Sequence, residues 1–292
     1  MNPALRILAL ALPCLAASAA TPARAAPETV YFKSADGVTE LVGYLFAPAG
    51  DGPHPAVVML HGRVGPYSTS DNATCTRVAR GVTSPCNAAT LSKRNQMWGA
   101  FWAARGYLAL LPDSFGPRGK AHGFPRFTHD DPDRADVNER TVRPLDAEGA
   151  LAFLAARRDV AQTSIFLQGW SNGGSTALNA MIRQGAKGGF RAALAFYPGC
   201  GGEALLEETI RTTAPLAMLL GSSDEEVSHL VCQRVANRSR EAGTPLDLTV
   251  YLGATHDFDD PGEARQQVPG NQAAKAESMV KAAAFVAGLS KP

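Results

Sequence analysis

An excess of charge of either sign is lacking in this sequence. Lys+Arg total 28 against 27 Asp+Glu in 292 residues, the formal net charge is +1, and no basic run gathers anywhere. A nucleic-acid-binding chain needs a basic patch to neutralise phosphates, so that class is excluded. Long hydrophobic runs are lacking too. After residue 25 no segment reaches the roughly 18 apolar residues that a bilayer crossing requires. Cysteine is limited to five, with no C-x-x-C pair and none at a histidine spacing suited to zinc, which leaves no structural metal site. At 45% hydrophobic and 19% charged, the composition excludes disordered, collagen-like and coiled-coil chains. Internal repeats and linker-like breaks are also missing, so one domain is expected.

Residues 1–25 stand apart. They contain Arg6 and Arg24 but no acid, an apolar run from Ile7 to Ala20, and Ala23-Arg24-Ala25 at the end. A basic start, a short apolar stretch and an A-x-A site make a signal peptide, and the run is too short for a membrane anchor. Residues 26–292 are then the mature domain, exported to the periplasm or secreted, with no stable membrane anchor. Cysteine usage agrees. Outside the leader lie Cys75, Cys86, Cys200 and Cys232, an even set that allows three pairings in an oxidising compartment. We expect Cys75–Cys86 within one loop, and Cys200–Cys232 between a strand end and the next helix.

Along the chain, 29–32 and 40–46 flank Asp36-Gly37 and predict a β-hairpin. The apolar run 55–60 predicts a buried strand ending in His61-Gly62, and 63–92, rich in Gly, Pro, Ser and Thr, a loop. Helices are expected over 93–105, 139–157 (regular from near Pro144), 173–184, 226–242 and 273–289. Strands are expected over 107–111, 164–168, 192–197, 215–220 and 246–252. Strands alternating with amphipathic helices imply an α/β fold, a mostly parallel sheet covered on both faces. The polar stretch 114–138 is too long for a plain connection. It leaves the sheet at the end where functional loops emerge, and should border the site's mouth.

The chemistry-bearing motif is Gly169-Trp170-Ser171-Asn172-Gly173-Gly174, a G-x-S-x-G turn between a strand and a helix. Glycines on either side let the turn be sharp enough to lift Ser171 Oγ above the sheet, at a helix N-terminus that favours a developing oxyanion. The serine needs a base later in the chain. Of six histidines only His229 and His256 follow it. His229 falls within a predicted helix, whereas His256 lies in the loop Gly253-Ala254-Thr255-His256-Asp257-Phe258 after the last strand, able to reach back over Ser171. The acid should follow the strand 215–220. Asp224 is the choice, to accept the His256 ring N–H, with Glu225 and Glu226 as rivals. The second oxyanion donor should come from His61-Gly62-Arg63, giving backbone N–H groups of Arg63 and Asn172, while His61 organises the loop.

Together, the His61-Gly62-Arg63 loop, GWSNGG, GSSDEEV and ATHDFD resemble the dienelactone hydrolase family of the α/β-hydrolase superfamily, over most of residues 26–292. Asp113-Ser114-Phe115-Gly116-Pro117-Arg118-Gly119 is similar to a segment of its exported members. The resemblance implies an α/β-hydrolase fold and a serine hydrolase of carboxylic esters or lactones, with an acyl-enzyme on Ser171 and no cofactor. The enzyme that names the family uses a cysteine nucleophile where this chain has Ser171. Trp170 beside Ser171 is similar to the elbow of cutinase-like polyester hydrolases, which keeps a polymeric ester open. Peptidase or amidase activity, and a non-catalytic binding protein of the same fold, are the other readings.

Other residues read as structural. His122, His129, Asp130, Asp131 and Asp133 can be drawn as a metal cluster but fit a polar loop equally, and no metal is expected. Arg118 either pairs with a substrate carboxylate or anchors its loop. Trp98, Phe101 and Trp102 at helical spacing belong to the core.

Overall fold

A computed structural model describes residues 26–290 except His129 and Ala186, so the expected leader at 1–25 lies outside the described residues. Eight strands form one sheet in the order β1-β2-β4-β3-β5-β6-β7-β8. β1 (Glu28–Lys33) and β2 (Glu40–Phe46) are the hairpin that the Asp36-Gly37 turn predicts. Asp36 Oδ1 closes that turn by accepting the Val38 and Thr39 N–H groups. β2 runs antiparallel to β4 (Leu108–Asp113), and β4 runs parallel to β3 (His54–Leu60). The rest of the sheet is parallel: β5 (Val160–Trp170), β6 (Ala193–Phe196), β7 (Leu216–Gly221) and β8 (Leu246–Tyr251).

Each central strand sends alternate residues to opposite cores, because side chains along a strand have period two. In β7, Leu216, Met218 and Leu220 join the core shared with α2 (Arg143–Ala155), α3 (Asn172–Gln184) and α4 (His229–Glu241). Ala217 and Leu219 face the other core, with α1 (Lys93–Ala103) and α6 (Pro269–Leu289). Trp98, Phe101 and Trp102 of α1 are buried there, as their spacing implies.

Several boundaries differ from the sequence reading: the strand expected over 164–168 spans Val160–Trp170, and the helix expected over 139–157 spans Arg143–Ala155. The helix expected from 226 begins at His229, because Asp224 Oδ1 accepts the Glu226 and Val227 N–H groups and turns residues 224–227 into a loop. A short α5 (Glu263–Gln266) precedes α6, which starts at Pro269, a favoured first helical residue. Disulfides join Cys75 to Cys86 and Cys200 to Cys232; the second ties the end of β6 to α4. Among the described residues no helix is long and apolar enough to cross a membrane.

The candidate active site

β5 ends at Trp170 and α3 begins at Asn172, leaving Ser171 alone between them at φ 52° and ψ −118°. A non-glycine residue at positive φ is costly, and here the surroundings enforce it. A Cβ on Gly169 would strike the Gly173 carbonyl, and one on Gly173 would strike the Leu60 and His61 carbonyls. Both glycines are therefore required by close backbone approach rather than by their own φ. Ser171 N–H donates to the Phe196 carbonyl at 2.9 Å, which fixes the elbow to β6.

Asp224, three residues beyond β7, and His256, five beyond β8, meet over Ser171. His256 Nδ1 lies 2.8 Å from Asp224 Oδ2, and His256 Nε2 lies 3.0 Å from Ser171 Oγ. An ionised carboxylate only accepts, so Nδ1 carries the proton and Nε2 accepts from the serine hydroxyl. His256 is buried. Burial disfavours its charged form, but the Asp224 hydrogen bond and the charges of Asp257, Asp224 and Glu226 outweigh it, and the pKa is raised above 6.5. The Tyr197 ring packs against the imidazole with centroids 4.7 Å apart.

The neighbouring acids have separate tasks. Glu225 Oε2 accepts the His256 backbone N–H at 2.9 Å. Glu226 takes two hydrogen bonds from Arg63, through Nε at 3.1 Å and Nη2 at 3.2 Å, and lies 3.8 Å from His256 Nε2. The sequence reading chose Asp224 with these two as rivals, and of the three it is Asp224 whose carboxylate lies on the Nδ1 side of His256.

Arg63 and Asn172 both border the small cavity that holds Ser171. His61 is neutral, because burial and the nearby Arg143 charge push its pKa well below 6.5. Its Nδ1–H donates to the Gly62 carbonyl at 2.8 Å, and Nε2 accepts the Ser114 N–H at 3.3 Å, the loop-organising part expected of it. Sequence reasoning missed Arg143. This buried arginine, its pKa pushed down by burial to about 10, donates to the His61 carbonyl at 2.7 Å and to Asn172 Oδ1, tying the two candidate oxyanion segments together.

A second network also went unread. Arg94 pairs with Asp257 and donates to the Tyr197 hydroxyl. Asp259 accepts from Tyr197, Trp98 and Trp170. In sequence these acids look like part of a polar loop; only burial of the segment shows them to be anchors.

The remaining expectations sort plainly. Arg118 anchors its loop, with Nη1 and Nη2 each 2.8 Å from Asp146 and a further contact to Asp36. Asp133 pairs with Lys120, Asp131 caps a 3₁₀ turn, and His129 lies outside the described residues. Among the described residues, Glu226, His256 and Asp257 bring ligand atoms within 4.8 Å of one another. Each already has a partner: Arg63 on Glu226, Arg94 on Asp257 and Asp224 on His256. The segment 114–138 reaches the site through Phe127 and Arg134. It is more than a rim, because Phe124 exchanges both backbone hydrogen bonds with Arg63: Phe124 N–H donates to the Arg63 carbonyl, and Arg63 Nη1 donates to the Phe124 carbonyl.

The sequence model of the dienelactone hydrolase family matches residues 93–289. Among solved structures, a dienelactone hydrolase-like promiscuous phosphotriesterase from metagenomic libraries superposes with a TM-score of 0.63 at 21% identity, covering 90% of this chain and 97% of its own. Esterase 2 of Thermogutta terrifontis with bound propionate gives 0.61 at 19% identity, covering 91% and 96%. The same esterase phosphorylated by paraoxon gives 0.54 at 18%, covering 87% and 93%. No curated protein sequence matches the chain.

Proposed function

This chain belongs to the dienelactone hydrolase family, with the α/β-hydrolase fold, and from that premise we propose that it cleaves carboxylic esters or lactones through an acyl-enzyme on Ser171. The observation that carries the proposal is the unbroken chain from Asp224 through His256 to Ser171, at 2.8 and 3.0 Å, with the serine on a strained turn. Ser171 Oγ attacks the carbonyl carbon as its proton passes to His256 Nε2. The tetrahedral oxyanion is taken by the backbone N–H groups of Arg63 and Asn172, each worth about 3 kcal/mol at the transition state. The imidazolium, held by Asp224, returns its proton to the leaving alkoxide. Water then attacks the acyl group by the same route and frees Ser171. The mechanism requires no metal or cofactor.

The small cavity at Ser171, about 40 Å³, supports a short acyl group. Export is part of the same proposal, supported by the two disulfides and by residues 1–25. N-terminal sequencing of the secreted product should begin at Ala26.

A fluorophosphonate probe tests the function directly. Labelling at Ser171, with hydrolysis of p-nitrophenyl esters that disappears in Ser171→Ala, is the expected result. Absence of labelling in the folded protein favours the non-catalytic binding reading. Turnover of a peptide amide at the rate of esters favours the amidase one.

A further inference from the structure

The space around Ser171 is divided. One cavity of about 40 Å³ is bordered by Asn172, Phe127 and Val227, and a second of about 20 Å³ by Val64, His256 and Asp257. Arg63, Ser171 and Glu226 border both. Arg63 and Glu226, joined as an ion pair, thus stand with Ser171 where the two cavities meet. The pair is held at three points: Arg63 grips the carboxylate through Nε and Nη2, Phe124 fixes Arg63 Nη1 at 2.9 Å, and Arg126 Nε approaches Glu226 Oε1 at 2.6 Å.

We propose that the Arg63–Glu226 pair separates an acyl subsite from a leaving-group subsite, and that Glu226 thereby sets the largest acyl group the protein accepts. The assignment rests on the proposed roles of Ser171 and His256. The protonated His256 Nε2 must reach the leaving oxygen, so the alcohol half of the ester lies in the cavity that His256 borders. The acyl half then lies across the pair, against Val227 and the exposed ring of Phe127. Phe127 stands at φ 58°, a conformation rare for an aromatic residue, which holds the ring at the mouth. A cavity of 40 Å³ holds only a group of a few heavy atoms, a water needing roughly 10–15 Å³ on the same measure. A longer chain must break a doubly hydrogen-bonded ion pair to enter. Its partners come from two loops distant in sequence, so the limit is built into the tertiary structure.

The test compares kcat/KM for p-nitrophenyl acetate, butyrate and hexanoate in the wild type, Glu226→Ala and Arg63→Gln. The last keeps the backbone N–H at position 63 and serves if Glu226→Ala does not fold. Removing either partner should raise the hexanoate-to-acetate ratio by at least about tenfold, the scale of a few methylenes gaining a pocket. A merely structural pair would lower all three substrates together. An unchanged ratio in a folded, active variant overturns the partition while leaving the hydrolase reading intact. A wild type that cleaves none of the esters and takes no label at Ser171 overturns that reading instead.

Discussion

Trp170, the residue before Ser171, donates its indole N–H to Asp259, three residues beyond His256, at 2.9 Å. The strand that leads to Ser171 and the loop that carries His256 are thus joined through one carboxylate, to which Trp98 and Tyr197 also donate. Burial raises the Asp259 pKa, opposed by the Arg94 charge and by the hydrogen bonds from Tyr197 and Trp98. Asp259→Ala strands three buried donors and should cost on the order of 3–5 kcal/mol in urea unfolding. Asp259→Asn keeps one acceptor and should cost less. If both variants unfold like the wild type, the anchor is unimportant.

The proposed acid can be separated from its rivals by kinetics. Asp224→Asn should leave the fold intact and lower kcat by up to about 10⁴-fold, since an amide N–H facing Nδ1 selects the wrong tautomer. Glu225→Gln, which touches His256 through its backbone N–H and otherwise pairs with Arg265 and Arg126, should cost far less. Combining Asp224→Asn with Ser171→Ala should add little to the serine change, because the groups act as a unit. Near-wild-type turnover in Asp224→Asn would reassign the acid.

The raised His256 pKa sets the pH dependence. In the proposed mechanism neutral imidazole is the base, so kcat/KM should be flat at high pH and fall as pH drops through a midpoint above 6.5. Glu226→Gln removes one of the charges that hold the proton and should move this limb down. Stability runs the other way: the fold favours protonated His256, so its contribution is full below 6.5 and is lost as pH rises through the raised value. A limb centred well below 6.5 contradicts the electrostatics described.

The two disulfides should differ in their worth. Cys75–Cys86 spans 11 residues and Cys200–Cys232 spans 32. Loop-closure entropy gives about 3 kcal/mol for the first and about 4 kcal/mol for the second. Cys200 also follows Gly199, whose carbonyl accepts the Ser175 hydroxyl beside the cavity at Ser171. Cys200→Ser with Cys232→Ser should therefore lower both unfolding free energy and ester turnover, whereas Cys75→Ser with Cys86→Ser should lower mainly stability. The reverse order, read by thermal unfolding and initial rates, would refute the comparison.

What the sequence determined by itself was local. The G-x-S-x-G turn, the apolar strands and the Asp36-Gly37 hairpin depend on backbone sterics and on the period of buried residues, both legible within a dozen positions. The order Ser171, Asp224, His256 was legible because parallel strands deliver their loops to one edge of the sheet. Burial and long-range pairing decided the rest. Asp257 and Asp259 look like surface acids until Arg94, Trp98, Trp170 and Tyr197 close around them. Arg143 looks like a solvated helix start until it bridges His61 and Asn172. Glu226 looks like a rival to Asp224 until Arg63, 163 positions away, takes its carboxylate. A charge reveals its partner only when the chain has folded, because the cost of burying it unpaired is what selects the pair.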